Sequence, residues 1–420
     1  MRGLAFGLVL QEIRGGVAPH GPPRAGKLRA QQREGNVRWW IAGSGTAGLV
    51  ALALFLASGP SGVPEPDAVW AEVIYDMDAQ VEMLPLLKCA DHAARVRVLS
   101  ERGAHVRLSP AGEFLWFDAE APDGRRQIYR LGRGDDRAVC WTCEESGNNW
   151  WPAPSPSGTG IAFISDRHVT WWHPFNSEIF LIGTNSEFSE FPSHRLTFSP
   201  GPDTYPTFGP EPRRLVWSRG EHGRFAVVTA HIESGHGGIL LSSPRVLVAG
   251  GASWVAPLAW SPDARSLLYT RGNPYASLRL RELDPATGEE WEVAETAAWN
   301  AAADFTDDGG WRLLATAQAK HWARHLPAEF GFLLGSFIHT SERSRVLWRG
   351  SGVGAGLVRQ PAVRVDLGAV ADWGMPTGVA LFDGGRGALL SQRRCTAGGV
   401  EERIVEFELT CDVGERTPAR

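Results

Sequence analysis

Cysteine, methionine and net charge are all scarce in this chain, and each scarcity excludes a class of protein. The 420 residues include five cysteines, too few and odd in number for a disulfide scaffold. Methionine occurs only 4 times, whereas glycine (49), proline (28) and tryptophan (18) are abundant, which favours tight turns and rigid aromatic packing over long helices. A net charge of −5 supplies no positive field, so we expect no nucleic-acid partner.

One uncharged run near the N-terminus predicts a membrane segment. Residues 39–57 read WWIAGSGTAGLVALALFLA, about the ~20 residues that a helix needs to cross the hydrocarbon layer. The preceding residues are rich in arginine, which places them in the cytoplasm and the rest of the chain outside. A cleaved signal peptide ending near Ala57, or a buried core helix, are the alternative interpretations. We therefore expect a basic tail at 1–38, a spanning helix or uncleaved anchor at 39–58 and a Pro/Gly-rich linker at 59–67.

The remaining chain is too long for one compact core unless it consists of repeats. A unit does recur: an apolar strand, a Ser-Pro or Asp-rich turn, a strongly apolar strand and then a more polar strand. The first four intervals between turns are ~45–55 residues, the length of a four-stranded propeller blade. The last interval is longer, and we interpret residues 321–335 and 350–356 as loops inserted in the fifth blade. The turns lie at 108–112, 154–158, 208–210, 260–263, 305–308 and 382–384.

Two of these repeats carry a family resemblance. Residues 260–270, WSPDARSLLYT, resemble the repeat of TolB-type propellers, in which an aromatic-Ser-Pro-Asp-Gly turn precedes an apolar strand that ends in a small polar residue. Residues 154–166 are a second match, and His194-Arg195-Leu196-Thr197 resembles the Arg-Leu-Thr that closes a blade in that family. The match covers about 100–412, with degenerate copies, since the third turn is reduced to Gly-Pro and the fourth lacks glycine.

The repeats and the resemblance together predict an all-β fold, a propeller of about six four-stranded blades that follows the predicted transmembrane helix, with five or seven blades as alternatives. The propeller would span 68–412, followed by a tail at 413–420. Closing the ring requires a strand from 68–100, either AEVIYDM (71–77) or RVRVLS (95–100). The resemblance implies a bacterial origin, and the predicted membrane segment then places the protein in the inner membrane with the propeller on the periplasmic side.

Cysteine and histidine supply the candidate disulfides and a weak metal candidate. Cys140 and Cys143 form a CxxC without a following histidine or a second CxxC, so a local disulfide is favoured over haem or zinc chemistry, with redox catalysis as the alternative. Cys395 and Cys411 flank a predicted hairpin that a second disulfide would lock. His321 and His325 are four residues apart, which would place both side chains on one face of a helix. Glu329 would follow one turn later, but Pro327 would break the helix before it, so we favour no metal site and expect no cofactor.

Paired tryptophans are the candidate binding residues. Trp150, Trp151, Trp171 and Trp172 stand beside polar residues, which suits sugar or protein recognition where the rings are exposed, although packing between blades is the alternative. No Gly-x-Ser-x-Gly nucleophile elbow occurs, and we expect no hydrolase domain. The resulting expectation is a non-catalytic platform for a protein or cell-envelope ligand. The alternative is a lyase or hydrolase that acts on polysaccharide at the channel mouth.

Overall fold

The computed structural model describes part of the chain, all of it within one compact unit at 61–420. The described residues are 86–87, 96–169, 176–184, 193–235, 238–273, 277–296, 300–305, 311–316, 344–349, 363–365, 370, 372–383, 387–396 and 399–408. The predicted tail, spanning segment and linker lie outside these residues. Within the described ranges, no helix has the length and apolar character needed to cross a membrane.

The described secondary structure is almost entirely β-strand. In chain order the strands are β1 Leu86–Leu87, β2 Arg97–Ser100, β3 Ala104–Leu108, β4 Phe114–Glu120, β5 Arg126–Gly132, β6 Val139–Cys140, β7 Asn149–Pro154, β8 Gly160–Ser165, β9 Glu178–Gly183, β10 His194–Arg195, β11 Asp203–Phe208, β12 Arg214–Glu221, β13 Arg224–Gly235, β14 Gly238–Gly251, β15 Trp254–Trp260, β16 Leu267–Asn273, β17 Ser277–Leu283, β18 Glu290–Thr296, β19 Asn300–Phe305, β20 Trp311–Thr316, β21 Ser344–Arg349, β22 Val363–Val365, β23 Met375–Phe382, β24 Gly387–Thr396 and β25 Gly399–Glu408.

These strands form sheets that surround a common axis. The four-stranded antiparallel blades are β3-β4-β5-β6, β7-β8-β9-β10, β11-β12-β13-β14, β15-β16-β17-β18 and β23-β24-β25-β2. The remaining sheet, β19-β20-β21-β22-β1, has five strands because β1 adds in parallel to β22. The expected all-β propeller is confirmed. The expectation of six four-stranded blades was wrong, because five of the described sheets have four strands and the remaining one has five.

The first strand of each sheet lies at the centre of the ring. β3, β7, β11, β15, β19 and β23 each contact the first strands of the two neighbouring sheets. The ring closes through β2, which pairs with β25 so that Val98 lies opposite Val405. The structure thus selects RVRVLS as the closing strand, since a β-sheet edge left unpaired would be open to association with other chains. The other candidate, residues 71–77, lies outside the described residues.

The recurring Ser-Pro turns have a common hydrogen-bond pattern. In three of them the serine carbonyl accepts the N–H of the residue three positions on, at 2.8, 2.9 and 3.0 Å. The serine hydroxyl also accepts an N–H at the start of the next strand, so it fixes the reversal. The fourth turn residue has a left-handed φ in each case, 72° and 69° at two glycines but 63° at an alanine. These residues are Ser109, Ser155 and Ser261, followed by Gly112, Gly158 and Ala264.

The small polar residue that ends the apolar run of a second strand joins adjacent blades. Ser391 accepts the Val106 N–H at 3.2 Å, and the Ser218 hydroxyl donates to the Val255 carbonyl at 2.6 Å. The apolar residues before it are buried on both sides, as in β8, where all six residues are buried. The hydrophobic core is therefore divided into layers between neighbouring sheets, which is the reason the second strands read as continuous apolar runs.

Candidate functional site

The ends of the inner strands enclose a cavity on the axis of the ring. Its volume is about 470 Å³, and the last residues of all six inner strands line it. Each strand ends there because the turn that follows reverses the chain outward to the second strand. The cavity is therefore a product of the whole ring, at the end where the Ser-Pro turns lie.

Apolar side chains form one part of the cavity wall. Phe208, Phe305 and Trp260 line it and are each exposed by only 8–9%. The Trp260 indole N–H has no acceptor among the described residues, although a buried N–H is usually paired. These aromatic rings give the wall its apolar part.

Four charged residues also line the cavity: Arg107, Arg133, Asp304 and Asp383. Arg107, from β3, donates through Nη1 to the carbonyls of Val106 and Val379 at 3.4 and 3.3 Å. Burial lowers the pKa of Arg107 below its ordinary value, and the negative charge of Asp304 opposes that shift. The Asp304 carboxylate accepts the main-chain N–H groups of Phe305 and Leu381 at 2.9 and 2.8 Å. Asp304 therefore fixes the ends of two inner strands to each other.

An arc of aromatic rings occupies the opposite end of the inner strands. The rings of His105 and Trp151 stack at 4.0 Å, Trp151 meets Tyr205 edge-on at 4.2 Å, and Tyr205 meets Trp254 at 5.6 Å. His105, Trp151 and Tyr205 all have a left-handed φ, between 51° and 58°, at register shifts in their strands. The bulges turn one aromatic ring from each of these strands toward its neighbour.

A buried charge cluster joins the first blade to the last. Asp118 accepts from His105 Nδ1 at 2.7 Å and from the Trp151 N–H at 3.0 Å, and it also pairs with Arg126. Arg126 in turn contacts Glu402 at 2.9 Å. Burial alone would raise the pKa of Asp118, but the charges of Arg126 and His105 and the hydrogen bonds from His105 and Trp151 together outweigh it and hold that pKa well below its usual range. Burial lowers the pKa of His105, although Asp118 opposes the shift. The ion pairs and hydrogen bonds of this cluster thus hold His105 in a fixed position at the axis.

Two further carboxylates are fully buried between the second and third blades. Glu178 accepts from Arg195 and from the Thr197 hydroxyl, each at 2.6 Å. Asp203 accepts from the Ser199 hydroxyl at 2.6 Å and from Trp217 Nε1 at 2.9 Å. Burial raises the pKa of Glu178 to about 7 and that of Asp203 to about 6, against the opposing hydrogen bonds. These groups change charge near neutral pH.

The structure places only some of the residues predicted as sites. The side chain of Trp151 is buried in the aromatic arc, and Trp150 is half-buried against the neighbouring hydrophobic cluster. A binding role for these residues stays a prediction. Cys140 and Cys143 are joined as a disulfide, and Cys395 pairs in β24 with Val400. Outside the described residues lie Trp171, Trp172, His321, His325 and Cys411.

No trio of histidine, cysteine or acidic side chains suited to a metal occurs in the described ranges. The cavity residues Arg107 and Asp304 escaped the sequence analysis because neither belongs to a motif, and Trp260 was recognised only as the aromatic residue of a repeat turn. The three residues share a position in the repeat, since each is one of the last two residues of an inner strand, just before a turn. Only the ring brings these positions together.

No family model matches the sequence, and no curated protein sequence matches it. Solved structures of similar fold include a TolB-like protein from Agrobacterium tumefaciens, 14% identical, with a TM-score of 0.47 over 74% of this chain and 93% of that chain. TolB from Acinetobacter baumannii is 14% identical, with a TM-score of 0.45 over 74% of this chain and 64% of that one. An oligogalacturonate lyase from Vibrio parahaemolyticus is 11% identical, with a TM-score of 0.42 over 74% and 93%. At these values the likeness concerns the fold alone.

Proposed function

We propose that the propeller is a non-catalytic platform that binds a protein or cell-envelope ligand in the axial cavity. The observation that carries the proposal is the cavity wall, to which the inner strands contribute apolar side chains, such as Phe208 and Phe305, together with charged ones, such as Arg107 and Asp304. Concave sites that combine apolar surface with a few polar groups are typical of ligand recognition. We also propose that residues 39–57 tether the protein to the bacterial inner membrane and that the propeller lies outside this membrane.

Site-specific photo-crosslinking of the full-length protein tests the binding role. A photoreactive phenylalanine analogue at Phe382, in the cavity wall, is compared with the same analogue at Phe198, which is 73% exposed elsewhere. We expect a cross-linked envelope partner from position 382 and not from position 198. The same products at both positions, or none at position 382, would contradict binding in the cavity.

Accessibility to protease tests the location. Protease added to intact spheroplasts should digest the propeller if it faces the periplasm, and lysis should add no further digestion. Protection until lysis would contradict the proposed orientation.

A polysaccharide-active enzyme is the second candidate function, and the His105–Asp118 pair is the observation that favours it. A carboxylate on Nδ1 fixes the imidazole so that the other ring nitrogen is the one available for proton transfer. The full-length protein and its His105→Ala variant are incubated with a panel of polysaccharides, and new reducing ends are measured. Cleavage by the wild type that His105→Ala abolishes would replace the binding platform with this enzyme. If no polysaccharide of the panel is cleaved, the binding platform remains the proposed function.

A further inference from the structure

We propose that Glu178 and Asp203 form a proton-sensitive switch for the connection between β10 and β11, residues 196–202. The connection stays closed over the two carboxyl groups while they retain a proton between them, and it opens when that proton is lost. The switch lies at the junction of the second and third blades, so it does not depend on binding in the axial cavity.

The connection is held in place through these two carboxylates. The Thr197 hydroxyl donates to Glu178 and the Ser199 hydroxyl donates to Asp203, each at 2.6 Å. Arg195, the last residue of β10, donates through Nη2 to Glu178 at 2.6 Å and through Nε to the Thr197 carbonyl at 2.8 Å. A change in the charge of the pair therefore acts directly on residues 195–199.

The two carboxylates share one hydroxyl and lie close enough to repel each other. Both side chains are fully buried, and the Thr197 hydroxyl, which donates to Glu178, also lies within reach of Asp203. A hydroxyl has only one proton to donate, so it serves one carboxylate at a time. Burial is the main cause that raises the pKa of Glu178, and the negative charge of Asp203 adds to it. The arrangement thus favours a neutral carboxyl group at one of the two positions.

Two arginines of the described residues face the pair, and neither balances it completely. Arg195 is 25% exposed, and Arg219 Nε is 3.6 Å from Asp203 Oδ1, which is too long for a hydrogen bond. His168, near Arg195, has a pKa that burial and that arginine lower, so it carries little charge near neutral pH. The pKa values of about 7 for Glu178 and about 6 for Asp203 therefore mark the range in which the pair loses its proton.

The junction of the first and second blades has the same backbone arrangement. There the Thr142 hydroxyl accepts the Ile128 N–H at 2.9 Å, just as the Thr197 hydroxyl accepts the Ile179 N–H at 2.9 Å. In both cases the residue before the threonine donates its own N–H to the isoleucine carbonyl, at 2.8 Å. The two junctions can therefore be compared position by position.

Neutral amides occupy the positions of the two carboxylates at the junction of the first and second blades. Gln127, the residue before the isoleucine, corresponds to Glu178, and Asn149, the first residue of the next inner strand, corresponds to Asp203. The Thr142 hydroxyl and Asn149 Nδ2 both donate to Gln127 Oε1, at 2.7 Å. An amide donates and accepts hydrogen bonds without ionising, so this junction has no proton to lose.

Loss of the proton favours an open connection, in which water reaches the carboxylates. In the closed form burial raises both pKa values, whereas water returns them toward their ordinary values, 4.5 for Glu178 and 3.8 for Asp203. The closed form therefore binds protons more tightly, and opening becomes easier as the pH rises. Opening also uncovers Leu196, which is 4% exposed, beside Phe198, which is 73% exposed. Proton loss thus enlarges the apolar surface at this junction.

Hydrogen–deuterium exchange of the full-length protein, followed by mass spectrometry at several pH values, tests the switch. The rates are first corrected for the pH dependence of chemical exchange. We expect the opening equilibrium of residues 196–203 to rise at least about tenfold from about pH 5 to about pH 7.5, since one unit of pKa difference corresponds to a tenfold change. Residues 141–149, the corresponding segment at the neutral junction, should show no such rise.

A double variant assigns the rise to the two carboxyl groups. Glu178→Gln with Asp203→Asn reproduces the amides of the neutral junction and should abolish the rise at residues 196–203. Glu292→Gln, which alters an exposed carboxylate of the fourth four-stranded blade, should retain it. An equal rise in both segments of the wild type, no rise at 196–203, or a rise that persists in the double variant would each overturn the inference. If the double variant does not fold, the comparison of the two wild-type segments still decides.

Discussion

Replacing Glu178 by glutamine should remove a pH dependence from the stability of the propeller. Glu178 is fully buried, and burial raises its pKa to about 7 from an ordinary 4.5. A carboxyl group with a raised pKa retains its proton in the folded state over a range in which the unfolded chain has lost it. The folded state then binds more protons, so the free energy of unfolding falls as the pH rises from about 4.5 to about 7.

The magnitude follows from the difference between the two pKa values. At 1.36 kcal/mol per pH unit, the difference between 4.5 and about 7 amounts to roughly 3 kcal/mol. This is an upper value, because the partner guanidinium of Arg195 is 25% exposed and solvent screens the ionised pair. Glutamine keeps the shape and the acceptor for the Thr197 hydroxyl but cannot ionise, so the variant lacks this dependence.

Urea unfolding of the wild type and Glu178→Gln at intervals from about pH 5 to about pH 8 measures the effect. The stability of the wild type relative to the variant should decline across this window. Taking the difference cancels other groups, including His105, whose lowered pKa makes stability rise with pH. Glu292→Gln, which breaks an exposed pair with Arg279, is the matched control and should show a flat difference. A flat or rising difference curve for Glu178→Gln would refute the argument.

Three further substitutions should change the free energy of unfolding, measured by urea denaturation. Asp118→Asn should destabilise by about 3 kcal/mol at most, because Arg126, whose side chain is 24% exposed, loses the fully buried Asp118 but keeps Glu402 as a counter-charge. Ala264→Gly should stabilise by roughly 0.5–1 kcal/mol, because Ala264 adopts a φ of 63° that glycine accepts without strain. Cys140→Ser with Cys143→Ser should destabilise by about 2 kcal/mol at most, the value for a cross-link that closes so short a loop.

For each of these three changes, a control or a specific outcome would contradict the argument. Asp123→Asn, at an exposed carboxylate beside Arg125, should change stability by less than about 0.5 kcal/mol. An equal loss in Asp118→Asn and Asp123→Asn would contradict the buried-pair argument. Destabilisation by Ala264→Gly would show that the turn is not strained. A reducing agent should reproduce the double serine variant, and a stability unaffected by reduction would mean that the disulfide contributes nothing.

The sequence by itself determined the repeat and its local chemistry. Proline and serine in the turns at 109–112 and 155–158 determine the backbone conformation only within a few residues, so these turns can be recognised without a tertiary structure. The continuous apolar second strands likewise follow from burial on both faces, which any packed ring of blades imposes. These two signals sufficed for an all-β propeller with a four-stranded repeat.

The tertiary structure alone decided how the ring closes and what stands at its centre. Both candidate closing strands had similar β patterns, and only the pairing of Arg97–Ser100 with β25 identified one of them. The axial cavity unites Arg107, Trp260 and Asp304 from three sheets. No periodicity marks such residues, because their proximity depends on how many sheets surround the axis and on where each inner strand ends. Contacts across a closed ring are set by its global geometry, and a local sequence pattern does not encode that geometry.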